Sequence, residues 1–544
     1  MSLTLEWRHR IMAWREELAR HFFVKTEQIQ VEASFTMDQF QLAQALEALT
    51  FAPISSGTPW GAKWEYGWFK GGFTLPAQLE GKMVGLAMDV GAESAVYVNG
   101  AYAGAVDEFH KVIILTDSAR SGDQYSVVLE AYGGHGVQEW HAGPTPPDRE
   151  TIPEPPQAQR NVGESWFGVW NEVAFQLAMD VETLWDVREN IDPESLRVME
   201  IDDGLKDFTL IANFEAPHEE MLQSLGKARE RLKSLLEKHN GDTTPEMIGF
   251  GHAHIDVAWL WPLAETKRKS VRTFSTQLAL MDRYPDYRFF QSQPQLYVMV
   301  KEKYPDLYQK ILAAVKRGQW IPEGGSWVEP DTNLTGGESL IRQMIHGKRF
   351  FMDEFGVDCE MLWLPDVFGY SGALPQIMRG CGLKYFSTQK IFWAYNGGEP
   401  FPYNTFIWEG IDGSEVMAHF HNDYNSETRP SWVIKRWQER VQKDGFSLRL
   451  YPFGHGDGGG GPTRAHLEFA LRQKDLEGAP KFRIDSPMTY FREQEEVGWP
   501  QVRYVGELFY QAHRGTYTSQ ARIKALNRYS EFALREAEMW GGTA

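Results

Sequence analysis

Two histidines and an aspartate alternate in the segment Gly251-His252-Ala253-His254-Ile255-Asp256, directly after the apolar residues 247–250. A short apolar run that ends in polar residues is typical of a buried strand that leads into a site. Side chains two positions apart on a strand point the same way, so His252, His254 and Asp256 are expected on one face. Imidazole and carboxylate groups side by side are ligands that Zn²⁺ takes in proteins. The pattern predicts a zinc site; the alternative is a buried histidine pair hydrogen-bonded to Asp256.

Four later segments also place reactive side chains where a predicted strand ends. They are Gly324-Gly325-Ser326-Trp327-Val328-Glu329-Pro330-Asp331, Trp363-Leu364-Pro365-Asp366-Val367-Phe368-Gly369-Tyr370-Ser371, His419-Phe420-His421-Asn422-Asp423 and Gly454-His455-Gly456-Asp457-Gly458-Gly459-Gly460-Gly461-Pro462. Enzymes built on (β/α) barrels collect their catalytic residues at the carboxyl ends of the strands. Five such segments are hard to explain by packing alone, so the sequence predicts an active site.

Seven apolar strands that alternate with helical stretches must position these segments. The predicted strands cover residues 247–250, 287–292, 320–323, 361–364, 385–387, 416–420 and 450–453. Helical patterns such as residues 296–317 and 338–355 lie between them. This alternation favours a seven-stranded (β/α) barrel-like domain over an open sheet.

The first half of the chain has a different pattern. Gly and Asp separate short alternating runs at residues 64–69, 72–75, 84–90, 94–99 and 125–132, which is typical of an antiparallel sandwich. A proline-rich loop is predicted at residues 144–156, and a charged helix at residues 217–238. The predicted domains are an N-terminal helical segment (1–50), a β-sandwich (51–180), a helical linker (181–245), the barrel-like catalytic domain (246–507) and the start of a helical bundle (508–544).

Composition narrows the functional class. Hydrophobic residues make up 42% and charged residues 24% of the 544 residues, which describes an ordinary soluble, multidomain protein. The net charge of −19 argues against nucleic acid or an anionic membrane as a partner. Only two cysteines occur, Cys359 and Cys381, so we expect no disulfide framework and a cytoplasmic location. Residues 1–24 have the pattern of an amphipathic helix rather than of a signal peptide.

Taken together and in order, the motifs resemble glycoside hydrolase family 38, the retaining α-mannosidases, in its cytosolic and microbial branch. The likeness rests on His-x-Asp-x-x-Trp from His254 to Trp259 and on the Gly-Gly-x-Trp-Val-Glu-Pro-Asp, Leu-Pro-Asp-x-Phe-Gly-Tyr-Ser and Gly-His-Gly-Asp-Gly-Gly-Gly-Gly-Pro segments. It covers residues 246 to about 530. Residues 68–76 and 95–100 are also similar to the jelly-roll, sugar-binding-like modules that precede many glycosidases. We expect that module to be structural, with no ligand site of its own.

The resemblance implies roles for individual residues. His254 and Asp256 would bind zinc, and Asp366 would be both a zinc ligand and the nucleophile that forms a mannosyl-enzyme. A carboxylate held by a cation stays ionised at neutral pH, which suits attack on an anomeric carbon. Cobalt or manganese could replace zinc, because nitrogen and oxygen ligands discriminate poorly among these metals. The alternative for Asp366 is a capping role at a strand-to-helix turn.

Asp457 is the predicted general acid/base, because it is the only carboxylate in its glycine-rich loop. Glycines let a backbone approach a ligand closely. A phosphate-binding loop is a poor alternative, because Thr463-Arg464 follows in place of Gly-Lys-Ser/Thr, whereas a plain flexible loop stays open. Trp259 matches the aromatic residue on which the family stacks the bound sugar. The other predicted substrate-binding residues are Trp327, Asp331, Tyr370 and His513.

The resemblance also sets an expectation about length. Family members are usually longer, and their helical bundle supplies a fourth zinc ligand from a His-Asp-x-Leu-Pro-Gly-Ser stretch that does not occur in this sequence. The expectation is therefore a truncated product or one half of a split enzyme. The expected partners are mannose-containing oligosaccharides, together with further copies of the chain or a complementing C-terminal chain.

The predicted function is a zinc-dependent retaining α-mannosidase that removes terminal α-linked mannose from oligosaccharides. Two alternatives stay open. The first is a sugar-binding fragment of such an enzyme that does not turn over. The second is a metal-dependent amidohydrolase, which would use His252, His254, His419 and His421 as metal ligands and Asp457 as a base.

Overall fold

The computed structural model of the chain describes residues 3–136, 157–393, 399–421, 423–443 and 446–544. The loop predicted at residues 144–156 and Asn422 lie outside the described residues. None of the described helices is long and apolar enough to cross a lipid bilayer.

A two-sheet antiparallel sandwich forms the N-terminal part. Its strands are β1 (Phe23–Gln28), β2 (Val31–Thr36), β3 (Ala52–Ile54), β4 (Pro59–Trp60), β5 (Tyr66–Thr74), β6 (Val84–Met88), β7 (Ser94–Val98), β8 (Ala101–Val106), β9 (Ile113–Thr116), β10 (Gln124–Tyr132), β11 (Arg160–Asn161) and β12 (Ser165–Trp170). One sheet has the order β1-β12-β6-β9, the other has the order β3-β2-β5-β10-β7-β8, and β4 pairs with β11. The predicted sandwich is confirmed, and it begins before residue 51 because β1 and β2 belong to it.

Apolar side chains from both sheets make the core of this sandwich. Phe69 and Leu129 of one sheet pack with Leu86 and Phe167 of the other, and all four are buried. The runs predicted as two strands at residues 64–69 and 72–75 form the single strand β5, because Gly71 and its neighbour pair directly with β10.

Four helices form a layer with its own apolar core. They are α1 (Leu5–Arg20), α3 (Glu172–Asn190), α4 (Leu196–Ile211) and α5 (His218–Leu236), with the short α2 (Leu42–Ala48) lying earlier in the chain. Leu184, Leu205, Leu225 and Leu232 are fully buried in this core. The segment predicted as a helical linker is therefore a packed layer.

The catalytic region alternates strands with helices. The strands are β13 (Glu246–His252), β14 (Phe289–Gln291), β15 (Trp320–Pro322), β16 (Met361–Trp363), β17 (Tyr385–Thr388), β18 (Thr405–Glu409), β19 (Glu415–Phe420), β20 (Leu448–Phe453), β21 (Lys481–Ile484) and β22 (Arg503–Val505). The helices are α6 (Leu263–Arg283), α7 (Pro294–Lys303), α8 (Pro305–Lys316), α9 (Gly337–Phe355), α10 (Leu374–Gly380), α11 (Pro430–Gln438), α12 (Arg464–Arg472) and α13 (Pro487–Val497). Each of the seven predicted strands is present. The helix predicted at residues 296–317 is divided into α7 and α8 at Pro305, because proline cannot continue a helix.

The strands form two sheets, and the predicted seven-stranded barrel-like arrangement is not confirmed. One sheet has the order β15-β14-β13-β20, with β21 also paired to β13; the other has the order β16-β17-β19-β18-β22, in which β18 is antiparallel to β19. Where the two sheets meet, side chains add to a backbone hydrogen bond that Trp363 N–H donates to Gly324 O at 3.2 Å. The Glu323 carboxylate accepts hydrogen bonds from the backbone N–H groups of Glu360 and Met361 at 3.1 and 3.2 Å. On the other side, Leu450 N–H donates to His419 Nε2 at 3.4 Å.

A single long helix, α14 (Ala521–Thr543), follows the catalytic region. It contacts that region through ion pairs, such as Arg342 to Glu538 at 2.5 Å. The predicted helical bundle is not confirmed, since this is the one long helix that the described residues contain after residue 507.

Candidate active site

The site begins where β13 ends and the chain continues to His254. The backbone N–H of His254 donates to Gly456 O at 2.5 Å, and Gly458 and Gly459 donate to His254 O at 3.1 and 3.0 Å. Gly458 and Gly459 have φ angles of 86° and 95°, a conformation that favours glycine. The glycine-rich loop after β20 is therefore folded around His254, and Asp457 forms a β-bridge with that residue.

The His254 imidazole is surrounded by carboxylates. Its Nδ1 lies 2.7 Å from Glu329 Oε2, and its Nε2 lies 3.3 Å from Asp256 Oδ1 and 3.6 Å from Asp366 Oδ2. Burial disfavours the charged imidazolium, but Glu329 and Asp256 outweigh this effect and raise the pKa of His254 well above its usual range. Burial also raises the pKa of Glu329.

Three side chains from separate segments hold Asp366, which follows β16. Its Oδ1 lies 2.6 Å from Lys390 Nζ, and the Tyr424 hydroxyl donates to the same oxygen at 3.1 Å. Its backbone N–H donates to Glu329 Oε1 at 3.0 Å. Lys390 is buried in a short 3₁₀ helix (Lys390–Phe392) directly after β17. The Asp366 carboxylate is thus fixed on its Oδ1 side, with Oδ2 toward His254.

Asp457 completes the group, because its backbone is bridged to His254. Poor hydration raises the pKa of its carboxyl group, and the nearby Asp366 and Asp256 raise it further, against the opposing effects of His254 and Lys390. A carboxyl group with a raised pKa next to a second carboxylate is the arrangement that separates an acid from a nucleophile in glycosidases.

The donor set fits a divalent metal ion. One atom each of His254, Asp256 and Asp366 lies within 4.8 Å of the other two. Glu329 holds the far ring nitrogen of His254, as a carboxylate commonly does behind a metal-binding histidine. One imidazole and two carboxylates suit zinc, and they also suit cobalt or manganese.

The predicted substrate-binding residues differ in their exposure and in their contacts. Trp259 is 56% exposed, with its ring edge-on to Trp261 at 5.5 Å. Trp327 instead packs against Phe350 and donates to Gln295 at 3.1 Å. Asp331 Oδ1 accepts two backbone N–H groups of its own turn, at 2.9 and 2.6 Å. Trp259 therefore keeps its predicted role as a candidate, whereas the described contacts of Trp327 and Asp331 are structural.

Tyr370 and His513 also have different environments. Tyr370 is fully buried, and its hydroxyl donates to Leu364 O at 2.7 Å. Because no part of its side chain is exposed, Tyr370 packs the core in place of the predicted contact with sugar. His513 is exposed, and its ring lies edge-on to Phe368 at 4.9 Å. Because Phe368 lies two residues after Asp366, this contact places His513 beside the segment that carries Asp366. Partial burial and the nearby Lys390 lower the pKa of His513.

The other strand-end histidines lie in the core. His252 accepts a hydrogen bond from Trp363 Nε1 at 3.3 Å, so it does not share one face with His254 and Asp256 as predicted. His421 stacks on Trp363 at 4.6 Å, and burial lowers its pKa to about 3. His419 Nδ1 lies 2.9 Å from Thr405 Oγ1. These positions remove the ligand set that an amidohydrolase would need.

Three site residues, Glu329, Lys390 and Tyr424, were not predicted. Glu329 lies in a motif that the sequence analysis singled out, and its partner could have been sought as the carboxylate behind His254. Lys390 lies three residues after the predicted strand at 385–387, which is the one signal that marks it. Tyr424 follows the His419–Asp423 segment without any pattern of its own.

Comparison with known proteins supplies the family. Residues 244–507 match the family model of the Glycosyl hydrolases family 38 N-terminal domain. The chain belongs to glycoside hydrolase family 38. In addition, residues 26–153 match the jelly roll domain of alpha-mannosidases, which corresponds to the sandwich. The family match covers all the residues that surround His254.

Several family 38 relatives align with most of the chain. Alpha-mannosidase G of Dictyostelium discoideum is 35% identical over 525 residues, which are 94% of this chain and 47% of that protein. Alpha-mannosidase 2C1 of Homo sapiens is 34% identical over 504 residues, 91% of this chain and 47% of that protein. An alpha-mannosidase of Saccharomyces cerevisiae is 39% identical over 314 residues, 56% of this chain and 29% of that protein. The chain thus spans about half the length of the first two relatives.

Proposed function

We propose that this chain carries the active site of a zinc-dependent retaining α-mannosidase that removes terminal α-linked mannose from oligosaccharides. The observation that carries the proposal is the group formed by His254, Asp256 and Asp366, whose donor atoms lie within 4.8 Å of one another, with Asp457 alongside. The alpha-mannosidase relatives support mannose as the sugar.

His254, Asp256 and Asp366 would hold the zinc ion. When bound, the ion would act as a Lewis acid toward the sugar hydroxyls and offset the negative charge of the surrounding carboxylates. Glu329 orients His254 by accepting from its Nδ1–H at 2.7 Å, so that Nε2 faces the two aspartates. This orientation requires the tautomer with the proton on Nδ1.

Asp366 is the proposed nucleophile. One of its carboxylate oxygens forms a bond to the anomeric carbon of mannose, while the bond from that carbon to the leaving-group oxygen breaks. Lys390 at 2.6 Å and the Tyr424 hydroxyl at 3.1 Å hold Oδ1 in a fixed position during this step. A nucleophile held in one orientation loses little entropy on the way to the transition state.

Asp457 is the proposed acid and base. Its carboxyl proton passes to the leaving-group oxygen as that oxygen departs, and its carboxylate then takes a proton from water. The water oxygen attacks the anomeric carbon and releases Asp366, so the mannose keeps its anomeric configuration. The raised pKa of Asp457 supports this role, because the acid must be protonated when substrate binds.

Trp259 and His513 are proposed to complete the mannose-binding site. The exposed ring of Trp259 offers an apolar face for a pyranose. His513, whose ring contacts Phe368 two residues after Asp366, is proposed to bind a sugar hydroxyl through a ring nitrogen.

Hydrolysis of an aryl α-mannoside by this chain, after metal removal by a chelator and after addition of zinc, tests the proposal. Zinc-dependent release of the aryl alcohol is expected, and the Asp366→Asn variant is the control. Proton NMR of the first product should show the α-anomer, as retention requires. Binding of mannose without release under any divalent metal would instead favour a sugar-binding role.

A further inference from the structure

A groove lies between part of the sandwich and the loop that carries Asp457. Its volume is about 700 Å³, within the range of roughly 300–1,000 Å³ found for small-molecule sites. One wall is the loop from Asp457 to Gly460, and the other comes from the sandwich, including Asp89, Glu108, Phe109 and Lys111.

The sandwich is fixed tightly against this loop. The Phe109 ring stacks on His455 with centroids 3.5 Å apart, and His110 Nε2 lies 2.9 Å from Pro462 O. Lys269 joins the two walls, because its Nζ lies 2.7 Å from Glu93 Oε1 and donates to Gly458 O at 3.3 Å. The groove is therefore a built feature of the fold, with sandwich residues held at the side of Asp457.

The position of Asp457 determines what the groove would hold. A general acid must touch the oxygen that leaves, so the leaving group extends from the acid, on the far side from the nucleophile. The mannose would occupy the His254 and Asp366 side. The leaving group would then enter the groove that begins at Asp457.

We propose that the sandwich supplies the leaving-group subsite of this enzyme and that this subsite takes an uncharged oligosaccharide. The inference rests on the proposed α-mannosidase function. It departs from the expectation that the sandwich is a module with no ligand site of its own.

The lining has the chemistry that a sugar chain requires. Phe109 is 50% exposed and offers an apolar ring surface, while the surrounding carboxylates accept hydrogen bonds from sugar hydroxyls. Glu108 and Lys111 are both exposed, and within the described part of the chain neither side chain makes a hydrogen bond or an ion pair. Their polar groups are thus available to a ligand without breaking contacts in the protein.

The charge of the lining favours an uncharged ligand. Among the described residues that line the groove, carboxylates outnumber the two cations, Lys111 and Arg160. A leaving group that carries a carboxylate or a phosphate would meet like charges, which disfavours its binding.

The test compares two substrates on one enzyme. We would measure kcat/KM for 4-nitrophenyl α-mannoside and for uncharged α-linked mannotrioses in the wild type and in the double variant Glu108→Ala, Lys111→Ala. The ratio of mannotriose to aryl mannoside kcat/KM is expected to fall about tenfold in the variant, because hydrogen bonds from charged groups to the leaving sugars are lost. The matched control is Glu47→Ala, an exposed carboxylate on α2 that does not line the groove, and its ratio should equal that of the wild type.

A charge reversal sharpens the assignment. Glu108→Lys should raise kcat/KM for an α-mannoside of a hydroxy acid several-fold relative to a mannotriose. An unchanged ratio in both variants, with active enzyme, would overturn the leaving-group subsite while leaving the α-mannosidase proposal intact. Failure of the wild type to hydrolyse the aryl mannoside would overturn the proposed function itself.

Discussion

Glu323 and Glu329 both lie in the segment after β15. Each accepts a hydrogen bond from the backbone near one end of β16. Glu323 accepts from Met361 N–H at the start of that strand, and Glu329 accepts from Asp366 N–H just beyond its end. Burial raises the pKa of both carboxyl groups, that of Glu323 to about 7. Glu323 therefore joins the two sheets, whereas Glu329 holds the backbone of Asp366.

The difference between them lies in the second oxygen of Glu329. That oxygen lies 2.7 Å from His254 Nδ1, whereas the described contacts of Glu323 are to the backbone and to Cys359. The comparison teaches that burial and a raised pKa are not enough to mark a functional carboxylate. The contact partner distinguishes the two carboxylates, because Glu329 and not Glu323 links the position of Asp366 to the orientation of the His254 imidazole.

The largest effect is expected at Asp366, the residue that Glu329 positions. Asp366→Asn should lower kcat for an aryl α-mannoside by roughly 10⁴-fold or more, because an amide does not replace the carboxylate nucleophile. Zinc content, measured by mass spectrometry of the purified protein, should fall in the same variant. A variant that keeps both zinc and turnover would remove Asp366 from the site.

Asp457→Asn should lower turnover roughly 10²- to 10⁴-fold and leave zinc content unchanged. In the wild type, kcat/KM should decline as the pH rises through the raised pKa of Asp457, because the acid must carry its proton. The variant should lack this alkaline decline. Loss of zinc in Asp457→Asn would contradict its role as acid and base alone.

Most strands and helices of the catalytic region were predictable from the sequence, but the division of the strands into two sheets was not. Apolar runs located seven of the ten described strands of the catalytic region, because a buried strand needs apolar side chains on both faces, whereas β18, β21 and β22 were not predicted. The junctions include Glu323 and His419, polar side chains that accept hydrogen bonds from the backbone of the other sheet. No local pattern distinguishes such a side chain from one that points into a site.

Site residues were predictable where they belong to a sequence motif, and they were not predictable where a single residue comes from a segment without a motif. His254, Asp256, Asp366 and Asp457 each follow a predicted strand in a polar segment, and the structure brings them together. Lys390 and Tyr424 reach Asp366 from separate segments, so only the packing of the strands shows that they meet. Tyr370 shows the opposite error, since it belongs to the same motif as Asp366 but is fully buried.

Glu329→Gln tests the link between the two parts of the comparison. The variant should bind zinc roughly 10- to 100-fold more weakly, because an amide is a poorer acceptor behind His254 than a carboxylate. Titration of metal-free protein with zinc, followed by recovered activity, measures the change. Glu323→Gln is the matched control and should bind zinc as the wild type does; equal zinc affinity in all three proteins would separate Glu329 from the metal site.

The smallest effect on activity, and a distinct effect on stability, is expected from Glu323→Gln. The carboxyl group has a pKa of about 7 in the folded protein and a usual value of 4.5, so the folded state binds more protons between these values. The stability of the wild type should therefore fall as the pH rises from about 4.5 to 7, by on the order of 2 kcal/mol. The glutamine variant can still accept from Met361 N–H without carrying a charge, so it should lose less stability over the same interval. Urea unfolding of both proteins at pH 5 and pH 8 measures this, and an identical pH dependence would show that the charge of Glu323 does not bear on the sheet junction.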